Sequence, residues 1–144
     1  MITGFEPNII RCMAGVDQAK HLAKQRAAEA KHAAEVEKTE QQIFSKYLRS
    51  QRAAGRLWFI NPPSHKASTI EPGHPDYTIW IKGKVFEIEM KASGGKLSPE
   101  QEIAISFLQE LDSDVWIAWS AKEAEGIVES YLSGSTKAQE LKLK

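Results

Sequence analysis

The chain has a single cysteine, Cys12, in 144 residues. It can close no internal disulfide and build no cysteine-ligated metal centre. This excludes the stapled secreted scaffolds and makes a reducing compartment, the cytoplasm, the expected setting. Any metal must be held by carboxylates, histidines or carbonyls. Long apolar runs are missing as well. No segment approaches the roughly 18 residues that span a bilayer. Near the start, Ile9, Ile10 and Met13 are interrupted by Arg11, so neither a signal peptide nor a membrane partner is expected. Net charge is also absent, with 19 Lys/Arg against 19 Asp/Glu.

That neutrality hides a polarised distribution. Residues 46–96 hold nine Lys/Arg and four acids, a balance of +5, and residues 97–144 hold four and nine, a balance of −5. A basic middle can meet a polyanion locally while the whole chain stays neutral. The hydrophobic share of 42% and charged share of 26% are ordinary for one globular domain.

Residues 1–14, with Gly4 and Pro7, read as an irregular lead-in. From about Val16 to Ala54 the chain is rich in Ala, Lys, Glu and Gln without Gly or Pro, which predicts helix. The stretch to Lys38 has mostly small apolar residues, whereas Ile43, Phe44, Tyr47 and Leu48 recur at helical spacing as a core stripe. Thr39 either caps a second helix or lies within one continuous helix that stops near Gly55. Strands are expected at 57–60, 77–81 and 85–90, the last two joined as a hairpin by Lys82-Gly83-Lys84. Ser98-Pro99-Glu100-Gln101 opens a helix to about Leu111, with Ile103, Ile105, Phe107, Leu108 and Leu111 partly at helical spacing. Val115–Trp119 is a short apolar strand, and residues 121–132 form a last amphipathic helix. This order predicts a mixed α/β sheet flanked by helices. The tryptophans at 58, 80, 116 and 119 fall in strand runs and are expected in the core rather than stacked on bases.

One constellation carries chemistry. Asp76 stands at the entrance of one hairpin strand, and Glu89 and Lys91 stand near the end of the other. Alternation puts Glu87, Glu89 and Lys91 on one face, and antiparallel pairing sets Asp76 beside Glu89. Two adjacent carboxylates repel unless a cation neutralises them. A hard divalent cation prefers oxygen ligands, acidifies water and polarises a phosphoryl oxygen. A lysine two residues on can stabilise developing negative charge. These parts describe phosphodiester hydrolysis. Glu87 is expected to be solvated or paired with Lys82 or Lys84; a register shifted by two would exchange it with Glu89.

Gly73-His74-Pro75-Asp76, Phe86-Glu87-Ile88-Glu89-Met90-Lys91 and Gly95-Lys96-Leu97-Ser98-Pro99-Glu100-Gln101 resemble the PD-(D/E)XK nuclease superfamily, in particular its VRR-NUC branch. The resemblance covers about residues 39–132, leaving 1–38 as a largely helical extension and 133–144 as a polar tail. It implies an α/β, restriction-endonuclease-like fold with an extra N-terminal helix. It further implies a Mg²⁺- or Mn²⁺-dependent deoxyribonuclease acting on flapped or branched DNA, such as a Holliday junction, in replication, recombination or repair. Standalone copies of this size resemble phage or bacterial versions, and a homodimer would suit a junction's paired strands. Residue by residue, Asp76 and Glu89 match the metal-binding acids, the Met90 carbonyl a backbone ligand, Lys91 the catalytic lysine and Gln101 a glutamine opening the following helix. Glu40 matches an acid on the first helix that completes the site, although Glu35 and Glu37 lie close by. Lys96, Lys66 and Arg56 are the cations expected to touch DNA. His74 departs from the family's small aliphatic residue and Met90 from its commoner valine. Against the enzyme stand a non-catalytic nucleic-acid-binding module on the same fold and an interaction protein working through the Ala-rich helix.

Overall fold

The computed structural model describes residues 7–62 and 71–134, with side chains from residue 15 onward. The described elements are α1 (Pro7–Ala53), β1 (Trp58–Ile60), β2 (Tyr77–Ile81), β3 (Lys84–Met90), α2 (Pro99–Glu110), β4 (Asp114–Ala118) and α3 (Ala121–Leu132). The chain divides into two units, Met1–Glu35 and Val36–Lys144.

The described part of the first unit is helix. It starts at Pro7, earlier than the irregular lead-in expected to residue 14, because proline suits a first helical position and Gly15 does not stop the run. Side chains 15–35 are exposed apart from the half-buried Ala33. Intrinsic propensity, not apolar burial, therefore holds this stretch. The helix passes Thr39 without a break.

The second unit carries the sheet, in the order β1-β2-β3-β4. The pairs β1–β2 and β2–β3 are antiparallel, and β3–β4 is parallel, reached by a crossover through α2. The β2–β3 turn has positive φ at both central residues, Lys82 (48°) and Gly83 (80°), as a two-residue hairpin of the right twist demands. One sheet face packs Tyr77, Ile79, Phe86, Ile88, Met90, Trp116 and Ala118 against Phe44 and Leu48 of α1 and Ala124, Ile127, Val128, Tyr131 and Leu132 of α3. Phe86 stacks on Tyr131 at 3.8 Å, and Phe44 meets Tyr77 edge-on at 4.9 Å. Tyr77 also donates its hydroxyl to the Gln41 carbonyl at 3.0 Å and accepts from Ser45 at 2.7 Å, pinning α1 to the head of β2.

Two expectations about apolar residues are corrected. Ile43 is exposed, because Phe44 and Leu48 define the buried stripe and Ile43 falls to its side. On α2 Ile105 is buried and Leu108 half-buried, while Ile103, Phe107 and Leu111 form an open strip. The helix packs against β4 on the second sheet face.

Candidate active site

The β2–β3 register, with Tyr77 opposite Ile88, places Asp76 opposite Glu89. Asp76 sits just beyond the last backbone rung, and its Oδ2 accepts the Met90 N–H at 2.9 Å and the Gln41 amide at 3.4 Å. Glu89 is 1% exposed. Its Oε1 accepts from the Gln101 side-chain amide and faces Lys91 Nζ at 3.3 Å. Its Oε2 is buried with no hydrogen-bond partner among the described residues.

Gln101 reaches this carboxylate because α2 begins where it does. Ser98 caps the helix, accepting the Gln101 N–H at 3.2 Å, while Gln101 Oε1 accepts the Ser98 N–H at 2.9 Å. This reciprocal capping box fixes the side chain, so the amide nitrogen is left to hold Glu89. The start of α2 is seated by Gly73. That glycine has φ +86°, follows Pro72 in a tight turn, and lies so close that a Cβ would stand 2.2 Å from the Glu100 carbonyl oxygen.

The structure draws together Asp76, Glu89, Lys91 and Gln101, with the Met90 backbone beside them. It does not bring Glu40 there. The Glu40 carboxylate accepts the N–H of Ala121, at the head of α3, where a negative group is favoured. The acid of α1 that acts on Asp76 is Glu37, whose Oε2 also accepts the Ala92 N–H at 3.3 Å. The sequence held a signal for this. A step of seven back from Phe44 reaches Glu37 and a step of seven back from Leu48 reaches Gln41, so both extend the buried stripe; Glu40 lies to one side.

Glu87 is also corrected. It is buried rather than solvated, accepts from Thr78 at 3.2 Å and faces His74 Nε2 at 3.7 Å, away from Lys82 and Lys84. Lys82 instead donates to the Leu132 carbonyl. Lys96 is exposed in the loop between β3 and α2. Arg56 precedes β1 at the end of the sheet opposite Asp76, bonded to Gln51 at 2.9 Å. Lys66 lies outside the described residues.

The electrostatics follow from burial. Glu89 is pushed up from its ordinary 4.5 to about 7, first by desolvation and next by Asp76, with Lys91 pulling partly back. Asp76 is raised mainly by desolvation, further by Glu37, and is held down in part by the Met90 N–H and Lys91. A carboxyl raised on folding binds its proton more tightly in the folded state. Stability of the metal-free protein should therefore fall as pH rises from about 4.5 to about 7 and then level off. Thermal unfolding in EDTA across this window should show the fall in wild type and a flatter curve in Glu89→Gln. A wild-type curve no steeper than that of the variant would refute the assignment.

Among the described residues no group of three or more His, Cys, Asp or Glu side chains could hold a metal ion. The site offers the Asp76 and Glu89 carboxylates, with Glu89 Oε2 an open acceptor. This set fits a hard cation that keeps much of its water, such as Mg²⁺ or Mn²⁺, and not a structural zinc.

A family model described as the VRR-NUC domain matches residues 14–122, more than half of the chain. No curated protein and no solved structure matches it.

Proposed function

The chain belongs to the VRR-NUC domain family, which implies nuclease-type activity on nucleic acid, and we propose that it is a Mg²⁺- or Mn²⁺-dependent deoxyribonuclease acting on branched DNA: a flap or a four-way junction. The observation that carries this reading is the convergence of Asp76, Glu89 and Lys91, with one buried Glu89 oxygen left without a partner. Asp76, Glu89 and the Met90 carbonyl would hold the cation. When bound, it supplies Lewis acidity toward a phosphate oxygen and neutralises the acid pair.

The remaining work falls to the chain. Gln101 keeps Glu89 in one orientation through a neutral hydrogen bond, adding no charge to a crowded site. Gln41 and the Met90 N–H do the same for Asp76. Lys91, anchored beside Glu89, presents an ammonium that stabilises negative charge growing on the phosphate during in-line attack. Glu37 reinforces the negative field that draws a cation in. The same proposal includes a homodimer, which would set two such sites on the paired strands of a junction, and a role in replication, recombination or repair.

The test is cleavage by the pure protein of labelled linear duplex, flap and four-way junction in Mg²⁺, Mn²⁺ or EDTA. Metal-dependent cutting, fastest on a branched substrate, is expected. Failure to cut DNA of any shape, with binding indifferent to metal and steeply weakened by salt, would replace the enzyme by a non-catalytic binding module.

A further inference from the structure

The sheet face that bears Glu87, Glu89 and Lys91 ends, away from the acids, in an open apolar row. Trp58 of β1 pairs across the strands with Trp80 of β2, and Trp80 with Val85 of β3. Their exposures are 58%, 37% and 49%. Only Trp116 of the four tryptophans lies in the core, so the expectation that all pack inside is corrected. Helix α2 packs against β4 on this face, while Trp58, Trp80 and Val85 stay open.

The row is not merely apolar. The Arg52 guanidinium lies over the Trp58 ring, 5.2 Å from its centroid. Arg56 stands just before β1 and is exposed. The open strip on α2, Ile103–Phe107–Leu111, differs: its helix contains Glu100, Glu102 and Glu110 and no Lys or Arg. A polyanion is attracted to the first surface and repelled by the second.

We propose that Trp58 and Trp80 are a stacking platform for unpaired bases of the DNA strand whose phosphate lies at Asp76 and Glu89. The proposal rests on the nuclease reading and names the feature of the substrate that is recognised. Trp80 is four residues along β2 from Asp76, about 13 Å at strand rise, so one single strand a few nucleotides long touches both places. Every base offers a π-face, and rings interleaved with arginine bind single strands without sequence preference. Paired bases are stacked within their helix and cannot lie on these rings, whereas a flap or an opened junction arm presents free ones. The platform thereby gives the site a preference for branched over linear duplex DNA.

The test uses the full chain in EDTA, where binding is read apart from cleavage. Anisotropy of labelled oligo(dT) and of a linear duplex is compared for wild type, Trp58→Ala, Trp80→Ala and Trp58→Phe, each checked for the wild-type circular dichroism spectrum. Each alanine variant should bind oligo(dT) about tenfold more weakly or worse, the size of one lost base–aromatic stack. Duplex binding should stay within about twofold, and Trp58→Phe should keep most of the oligo(dT) affinity. Unchanged oligo(dT) binding in both alanine variants overturns the proposal. So does an equal loss on duplex, or a wild-type dimer that becomes a monomer in Trp58→Ala, which would assign the patch to a second copy of the chain. Platform and enzyme can fail separately: loss of oligo(dT) binding without any cutting by wild type sinks the nuclease alone, and cutting with unaltered binding sinks the platform alone.

Discussion

Asp76→Asn should lower DNA cleavage about a thousandfold, the scale on which removal of one charge-stabilising group slows a polar reaction, while leaving the fold intact. Asparagine keeps an oxygen that can accept the Met90 N–H, now held at 2.9 Å. It also removes one partner of a buried like-charge pair, so the variant should unfold at a higher temperature than wild type in EDTA at pH 8. Alanine makes the useful contrast. It is equally inactive but leaves the Met90 N–H without its acceptor, at about 1–3 kcal/mol. Activity and stability therefore part company: both variants are dead, one firmer than wild type and one weaker. Cleavage and thermal unfolding on the same preparations decide the matter. An asparagine variant that cuts within tenfold of wild type would remove Asp76 from the chemistry.

Gly73→Ala should be the most disruptive small substitution in the second unit, although glycine has no chemical group to lose. A Cβ there meets the Glu100 carbonyl oxygen at 2.2 Å and its carbon at 2.5 Å, both backbone atoms at the start of α2. The φ of +86° adds the left-handed penalty of about 1–2 kcal/mol. Overpacking costs about 1–3 kcal/mol more, so a loss of about 2–5 kcal/mol in urea unfolding is expected. Gly83→Ala is the control. Its φ of +80° is similar, but nothing lies within 4 Å of the new carbon, so strain alone remains. If the two variants lose the same stability, the close seat of α2 on Gly73 is wrong. Catalysis should fall with Gly73→Ala as well, because the displaced turn carries Gln101 and the displaced loop leads to Asp76.

Much of this architecture was readable from local pattern. The β2–β3 hairpin needed only a run, a glycine turn and a second run. The meeting of Asp76 with Glu89 then followed from strand alternation alone. The capping box of α2 is likewise contained in four consecutive residues, Ser98 to Gln101. What stayed hidden depends on contacts distant in sequence. The seven-residue step from Phe44 favours Glu37 over Glu40, but the partners that each one meets, Ala92 and Ala121, are set by the docking of α1 on the sheet. Whether a strand tryptophan is core or surface turns on which sheet face it takes and on what covers that face, which no strand reveals about itself. Glu87 reads as a solvated alternating residue until Thr78 and His74 close on it.

The rung that ends the β2–β3 ladder has a consequence for how this fold tolerates change in length. Beyond Tyr77 and Ile88 the next donor of β3, the Met90 N–H, is taken by the Asp76 carboxylate and not by a carbonyl of β2. The chain before Asp76 is thus released from lying alongside β3. Pro75, buried and without an N–H to satisfy, lets it depart at once toward Gly73. The closure entropy of a connection grows slowly with length, by roughly 0.6 kcal/mol for each doubling of a flexible loop. The Asp76 carboxylate is held by Met90 and Gln41, both outside the connection from β1, so the grip on the acid does not depend on the connection's length.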